Sequence, residues 1–184
     1  MNILNKLTFF IVGMLLLVSC TSKEQFQITA DQIAGITKET TVADIETLFT
    51  NDSIVVAKKG GKYADAEGTI SIYEKGGVKL LSIDPKEAND QASTVEVIRV
   101  FDNRYQTDKG ISLSSTFKDI TDAHTIKRIH NLLDSVVLFL ENSPVFITID
   151  KKHMPGEFMF DTSRKVELTN IPDDAPIKYM MIGW

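Results

Sequence analysis

The chain has 184 residues and carries 20 Lys and Arg against 25 Asp and Glu, a formal net charge of −5 at pH 7. Its lysines occur singly or in pairs, and no basic run is present. This composition argues against nucleic acid or anionic lipid headgroups as ligands. Because the chain has one cysteine, it cannot form a disulfide within itself.

The N-terminal segment is typical of a signal peptide. Lys6 is followed by the apolar run Leu7–Val18, which is shorter than the roughly 20 apolar residues that span a bilayer. A basic start, a short apolar core and a small residue at the end describe a segment that is removed from the mature chain. Removing Lys6 with this segment changes the formal net charge from −5 to −6. About 160 residues then remain, enough for one substantial core or two small ones.

The segment ends in Leu17-Val18-Ser19-Cys20, which resembles the lipobox of bacterial lipoproteins. The resemblance implies cleavage before Cys20 and transfer of a diacylglycerol to its thiol. The alternative interpretation is a buried core cysteine that happens to follow an apolar run. We expect a signal peptide at residues 1–19, a lipidated tether at 20–25 and a folded domain at 26–184.

A lipid on Cys20 predicts a firm attachment to a membrane. Each buried methylene of an acyl chain such as palmitate contributes about 0.8 kcal/mol. By resemblance to the lipoproteins of Gram-negative bacteria, Thr21 after the cysteine, rather than Asp, favours the outer membrane; the leaflet stays open. Beyond the lipobox, the chain resembles uncharacterised secreted lipoproteins of the cell envelope.

The folded part contains matches between its own segments. Gly35–Ile45 aligns without a gap with Gly110–Ile120. Three further matches keep the same order: residues 52–56 with 134–138, 69–73 with 145–149, and 95–102 with 166–173. Ordered self-similarity at a long spacing indicates two copies of one supersecondary unit. We expect repeat one at about residues 26–102 and repeat two at about 103–184.

Each repeat is expected to begin with a capped helix. Thr41 with Asp44, and Thr116 with Asp119, form the pattern in which a threonine hydroxyl accepts a free backbone N–H and the acid reaches back. An alternative role for Asp44 and Asp119 is a pair of catalytic carboxylates. Their position three residues after the threonine makes capping the better interpretation.

The remaining elements give an α+β fold of two tandem pseudo-repeats, each with a strand, a helix and antiparallel strands, the helices packed on a twisted antiparallel sheet. The second helix is predicted to be about two turns longer than the first, with Ile126, Ile129 and Leu133 in it and a bend or break between residues 121 and 125. Alternation and turn residues predict the strands: they are residues 69–74 and 78–83 around a turn at 75–77, residues 145–150 and 157–160 around a turn at 154–156, and residues 95–101, 166–169 and 177–184.

The tandem glycine–threonine–acid helix start resembles that of the β-lactamase-inhibitor-like and outer-membrane-assembly lipoproteins. The resemblance covers Gly35, Thr41 and Asp44 with their counterparts in repeat two. It implies small tandem α+β units, and two copies of one unit create a central interface between them. It transfers no functional residue to this chain.

No motif for catalysis, cofactor or metal emerges from the sequence. His130 and Asp134 are expected to pair on the surface of the second helix, and Ser135 lacks the Gly-x-Ser-x-Gly context of a nucleophile. His124 has the wrong spacing to His130 for sharing a metal, and His153 is assigned to a turn. Three acids are candidates for calcium ligands, but turn residues are the better interpretation: Asp102, Asp173 and Asp174.

The leading hypothesis is a non-catalytic, lipid-anchored module that binds an envelope protein. One alternative is an enzyme or a small-ligand-binding protein with its site between the repeats, and another is a lipoprotein that only spaces or covers. We expect no cofactor, no metal and no nucleic acid, and we assign a chemical role to Cys20 alone. Loops 57–68 and 84–93 are longer than their counterparts in repeat two, which makes them the first places to look for a partner surface.

Overall fold

The computed structural model describes residues 25–58 and 66–184. The signal peptide, Cys20 and the tether up to residue 24 therefore lie outside the described residues, as does the 59–65 part of the first long loop. Within the described ranges, two α-helices accompany a mostly antiparallel sheet. The prediction of an α+β fold is confirmed at this level.

The elements follow one another along the chain as short strands with two helices of seven residues. They are β1 (Gln27–Ile28), α1 (Val42–Leu48), β2 (Ser53–Val56), β3 (Ile70–Tyr73), β4 (Lys79–Pro85), β5 (Val95–Val100), β6 (Gln106–Thr107), α2 (Phe117–Ala123), β7 (Ile126–Asn131), β8 (Ser135–Leu140), β9 (Val145–Asp150) and β10 (Ile177–Gly183).

An eight-stranded sheet forms the centre of the fold, in the order β2-β3-β4-β5-β10-β9-β8-β7. Every neighbouring pair in it is antiparallel. The first four strands run in chain order from one edge to the middle, and the last four run in chain order from the other edge. Strands β5 and β10 therefore meet at a central seam. A separate parallel pair joins β1 to β6.

One face of the sheet, the inner face, forms the hydrophobic core. A row of aliphatic side chains in register crosses six strands: Ile72, Leu81, Val100, Met180, Ile147 and Leu138. All six are buried. Side chains of both helices, including Ile45 and Ile120, belong to the same hydrophobic cluster, so both helices contribute to this core. Each fully buried side chain of this size contributes about 1.5–3 kcal/mol.

The two helices begin in the same local geometry. The Thr41 N–H donates to Oδ2 of Asp44 at 2.9 Å, and the Thr116 N–H donates to Oδ2 of Asp119 at 2.7 Å. Gly35 and Gly110, which precede them, both have φ of +81°. Both predicted capping boxes are confirmed.

The first N–H groups of each helix also bond to the segment that precedes a central strand. Val42 N–H donates to the Ser93 carbonyl, and Phe117 N–H donates to the Ala175 carbonyl, both at 2.9 Å. These bonds satisfy N–H groups that have no partner inside a helix. Each helix is thereby bonded to the loop residues that come just before one of the two central strands, β5 or β10.

The predicted length of the second helix is wrong. Helix α2 ends at Ala123, and Ile126–Asn131 form β7. The misleading signal was the helical spacing of Ile126 and Ile129. A register shift between Ile126 and Arg128 explains it, because a bulge lets two residues three apart face the same side. Both isoleucines pack against the core.

The strands predicted at residues 157–160 and 166–169 are also wrong. This stretch contains short 3-10 helices at Lys151–His153, Gly156–Phe158 and Leu168–Asn170. The edge of β9 that a hairpin partner would have used is taken by β10. The intervening chain instead contributes buried apolar side chains to the core: Met154, Phe158, Val166 and Ile171.

The three later sequence matches pair segments at different places in the sheet. Residues 52–56 include the outermost strand β2, whereas 134–138 fall in β8, second from the other edge. Residues 69–73 include β3, second from the β2 edge, whereas 145–149 fall in β9, third from the β7 edge. Residues 95–102 include the central strand β5, whereas 166–173 contain no strand. These matches therefore do not align strands in equivalent positions.

Candidate functional site

The opposite side of the sheet, the open face, carries larger and more polar side chains. One row in register runs through seven strands: Ser71, Ser82, Arg99, Met181, Phe146, Phe139 and Arg128. The five large side chains of this row are partly or fully exposed, unlike those of the inner face. Large aromatic, methionine and arginine side chains at a solvent-facing surface are typical of binding surfaces.

Arg99 lies at the central seam between two aromatic rings. Its guanidinium carbon is 3.7 Å from the ring centroid of Tyr179 on β10 and 4.9 Å from that of Phe101. The Lys79 ammonium lies 4.3 Å from the same Phe101 ring centroid. Cations at these distances are attracted by the ring quadrupole, by about 0.5–1 kcal/mol at exposed sites. The rings thus hold the Arg99 side chain in place across the seam.

The charge of Arg99 is not neutralised by any carboxylate in the described part of the chain. Its Nε atom is buried and makes no hydrogen bond to a described residue. A guanidinium is a planar fork of five donors that suits a carboxylate. The seam therefore presents a positioned donor with unused capacity for an acidic group.

A second aromatic cluster lies on the other half of the open face, around Phe139. Its ring stacks on Phe146 with centroids 5.5 Å apart and meets His130 edge-on at 4.9 Å. The guanidinium carbon of Arg128 is 4.3 Å from the Phe139 ring centroid. This cluster repeats the combination of cation and aromatic ring that is found at the seam.

A groove of ≈ 550 Å³ lies at the end of the open face where β10 terminates. Its lining comes from β5 and from β7 to β10, and includes Val97, Phe146, Gly183 and Trp184. A Cβ atom on Gly183 would lie 3.3 Å from Cε1 of Phe146, so the glycine allows the aromatic ring to lie close over the strand. The Trp184 indole N–H donates to the Ala30 carbonyl at 3.2 Å.

The three histidines lie in different surroundings. His124 is the C-cap residue that follows α2, and its burial, with the nearby Lys109 ammonium, lowers its pKa. His130 lies on β7 against Phe139. His153 ends a short 3-10 helix. Among the described residues, no three His, Cys, Asp or Glu side chains are close enough together to hold a metal ion.

The expected pairing of His130 with Asp134 is wrong, because these residues do not share a helix. Asp134 instead accepts hydrogen bonds from the Ser135 hydroxyl at 3.0 Å and the Lys178 ammonium at 3.3 Å. These bonds lower the pKa of Asp134, the one from Ser135 most. Ser135 is buried and bonded to its neighbour, an arrangement that tethers the turn between β7 and β8.

Four of the five acids that were candidates for catalysis or calcium binding have structural contacts, and Asp174 is exposed. The capping bonds from Thr41 and Thr116 lower the pKa of Asp44 and Asp119. The hydrogen bond from the Arg104 side chain lowers the pKa of Asp102. The backbone carbonyl of Asp173 accepts a hydrogen bond from the first turn of α2, at 2.9 Å.

The two long loops contact each other. The amide of Asn89 donates to Oε1 of Glu67 at 3.0 Å. Within the second loop, the Ser93 hydroxyl accepts the Glu87 N–H at 2.9 Å, and the Gln91 carbonyl accepts the Ala43 N–H at 3.1 Å. Loop 84–93 therefore supports helix α1. Residues 59–65 of loop 57–68 lie outside the described residues.

The open face was missed by reasoning from the sequence, although a signal for it was present. Arg99, Phe139, Phe146 and Tyr179 occupy positions that alternate with buried aliphatic or methionine residues in their strands. Alternation assigns these residues to the face opposite the core.

Neither of the described helices has the length and apolar character needed to cross a membrane. No model of a known protein family matches the chain. A search of curated proteins found no relative. Among solved structures, the chain is similar to the crystal structure of the uncharacterized protein yfeY from Escherichia coli, with a TM-score of 0.53 and 13% sequence identity. The match covers 86% of this chain and 99% of that chain, and it shows a shared fold alone.

Proposed function

We propose that this chain is a lipid-anchored protein of the Gram-negative cell envelope, attached to the outer membrane, whose folded domain is a non-catalytic binding module. Its partner is another envelope protein, which it binds through the open face. The observation that carries the proposal is Arg99 at the seam, held between Tyr179 and Phe101 without a described carboxylate partner.

The chemistry of the open face favours a protein surface with acidic and apolar groups. The whole chain has a formal net charge of −5, yet Lys79, Arg99 and Arg128 gather on this face beside aromatic rings. Complementary charge steers partners together and selects among them. Arginine and tyrosine are also the residues in which binding energy concentrates at interfaces.

The arrangement of strands supports a duplication with the binding seam at its centre. Each half of the sheet has one helix and four strands, with β5 and β10 in equivalent central positions. The helix starts at Thr41 and Thr116 have matching hydrogen bonds. In this proposal repeat one spans about residues 26–102 and repeat two about 103–184, and Arg99 of one contacts Tyr179 of the other.

The lipobox supports the anchoring part of the proposal. The lipid would be attached to Cys20, a few residues before the first described strand. Because Trp184 bonds to Ala30, the N-terminal part of the domain lies beside the end of β10, where the groove of the open face also lies. A tether from this end would hold the open face close to the membrane.

Affinity capture from envelopes tests the proposal. The lipidated wild type is compared with Cys20→Ser, with Arg99→Ala, and with Lys38→Ala as a control at an exposed cation outside the open face. We expect the wild type and Lys38→Ala to capture one defined protein. Arg99→Ala should fail to capture it, and Cys20→Ser should fail as well because capture requires the lipid. Capture that is unaffected by Arg99→Ala, or a small molecule bound in place of a protein, would contradict the proposal.

A further inference from the structure

Strand β7 is the outermost strand on its side of the sheet. In the described part of the chain, no strand pairs with its outer edge. Such an edge presents unpaired N–H and C=O groups on which another chain can pair. The opposite edge strand, β2, has four residues and no charged side chain. In contrast, β7 has six residues and carries Lys127, Arg128 and His130, all exposed.

The pairing with β8 fixes which backbone groups point outward. The Leu132 N–H donates to the Ser135 carbonyl at 2.9 Å, and the register pairs Arg128 with Phe139 and Ile129 with Leu138. In an antiparallel pair, hydrogen-bonded and non-bonded positions alternate. The backbone groups of Arg128 and His130 therefore point towards β8, and those of Ile129 point away from the sheet.

The two sides of this edge differ in chemistry. On the open face, Arg128 and His130 lie over the Phe139 ring. On the other side, a groove of ≈ 350 Å³ lies between β7 and residues 164–168, with Ile129, Val166 and Leu168 among its lining residues. One side is thus cationic, whereas the groove on the other side combines these apolar side chains with polar ones, including Lys127, Arg164 and Lys165.

The far wall of this groove is attached to β7 itself. The Asn131 amide donates to the carbonyl of Asp161 at 3.0 Å and to the carbonyl of Arg164 at 2.8 Å. The Lys151 ammonium, which is buried, donates to the same Asp161 carbonyl at 3.0 Å. The groove is therefore built before any ligand arrives, which reduces the entropic cost of binding.

We propose that the outer edge of β7 binds an extended segment of a protein partner in which acidic and apolar residues alternate. The segment would add to the sheet as a ninth strand, using the outward backbone groups at Ile129. Successive side chains of a strand point to opposite faces, so acidic residues would lie beside Arg128 and His130 while apolar residues would enter the groove along β7. Main-chain bonding supplies affinity in such additions, and the pockets for alternate side chains supply specificity.

A second copy of this chain fits the same edge poorly. Two β7 strands side by side would bring the cations Lys127 and Arg128 of one copy against those of the other. Like charges placed together cost free energy, and basic residues are a usual means of preventing edges from pairing with each other. The same cations would attract an acidic segment. The outer edge of β7 is separate from the seam at Arg99, so binding at one does not require binding at the other.

The test uses the full lipidated chain in detergent micelles and a capped peptide of alternating glutamate and valine, about as long as β7. One control peptide has the same composition with all glutamates before all valines. A second control peptide keeps the alternation but is N-methylated on every other residue. The methyl groups replace the main-chain N–H donors along one edge of the peptide, the edge that would pair with β7. Binding is measured by calorimetry, and hydrogen exchange locates the site.

We expect the alternating peptide to bind, the two control peptides to bind at least about tenfold more weakly, and the Ile129 amide to become protected. Arg128→Glu should weaken binding by about tenfold or more, because it replaces attraction by repulsion, whereas Lys38→Glu should leave it unchanged. The proposal is overturned if the alternating peptide does not bind, if the control peptides bind equally well, if protection appears around Arg99 instead, or if β7 pairs with a second copy of the chain.

Discussion

Gly68 and Gly110 form a matched pair that tests how closely the two long loops pack. Both have left-handed backbones, with φ of +86° and +81°. At Gly110 no atom lies within 4 Å of the place where a Cβ would be. At Gly68 the same Cβ would lie 2.8 Å from the Ala88 Cβ and 2.9 Å from its Cα.

The expected losses differ because only one site is crowded. Gly110→Ala should lower the free energy of unfolding by about 1–2 kcal/mol, the cost of a left-handed backbone in an L-residue. Gly68→Ala has the same strain, and overpacking typically adds about 1–3 kcal/mol, for a total of roughly 2–5 kcal/mol. Ala88 has little room to withdraw, because Glu87 and Asn89 on either side of it are hydrogen-bonded.

Urea denaturation of the purified wild type and both variants measures these losses. Equal slopes of the unfolding free energy against urea would show that the surface exposed on unfolding is unchanged. The Gly68→Ala protein should have the lower midpoint of the two. If Gly68→Ala destabilises the fold no more than Gly110→Ala does, the assignment of a close contact between loops 57–68 and 84–93 is contradicted.

Three further outcomes follow from the helix caps and the core. Thr116→Ala should lower the free energy of unfolding by about 1 kcal/mol through loss of a cap, and an unchanged urea midpoint would contradict the capping role. Because the bonds from Thr116 lower the pKa of Asp119 below its ordinary value of 3.8, the carboxylate stabilises the fold above that value, and this stabilisation is lost as the pH falls through the lowered pKa. Asp119→Asn should therefore flatten the acid limb of a plot of stability against pH, and a limb as steep as that of the wild type would argue against this assignment. Ile98→Ala, at a fully buried position in the seam, should lower the free energy of unfolding by about 2–5 kcal/mol. Val55 is 53% exposed on an edge strand, so Val55→Ala should change the free energy of unfolding by no more than about 0.5 kcal/mol. Similar losses at both sites would contradict the assignment of the core face.

Local features of the sequence predicted local structure well. The threonine and acid of each capping box bond within one turn, so their geometry depends on few other residues. The hairpin of β3 and β4 was likewise predicted from alternation around a glycine turn. The error at β7 came from the bulge after Ile126, which produces a helical spacing of apolar residues in a strand.

Features that depend on distant partners could not be predicted. The seam pairs β5 with β10, and nothing in either strand specifies the other. The open face was missed for a related reason. Alternation showed which residues share a face, but it could not show that Arg99 and Tyr179 would meet across the seam, at 3.7 Å from guanidinium carbon to ring centroid.

Site-specific photocrosslinking in intact cells tests the binding role of the open face most directly. A photoreactive phenylalanine analogue replaces Phe101, which is 36% exposed beside Arg99, or Leu48, which is 41% exposed on helix α1. The two positions have similar exposure but lie in different parts of the fold. We predict a defined protein adduct from position 101 that disappears when Arg99→Ala is added, and no such adduct from position 48. Equal adducts from both positions, or an adduct from position 48 alone, would contradict the account.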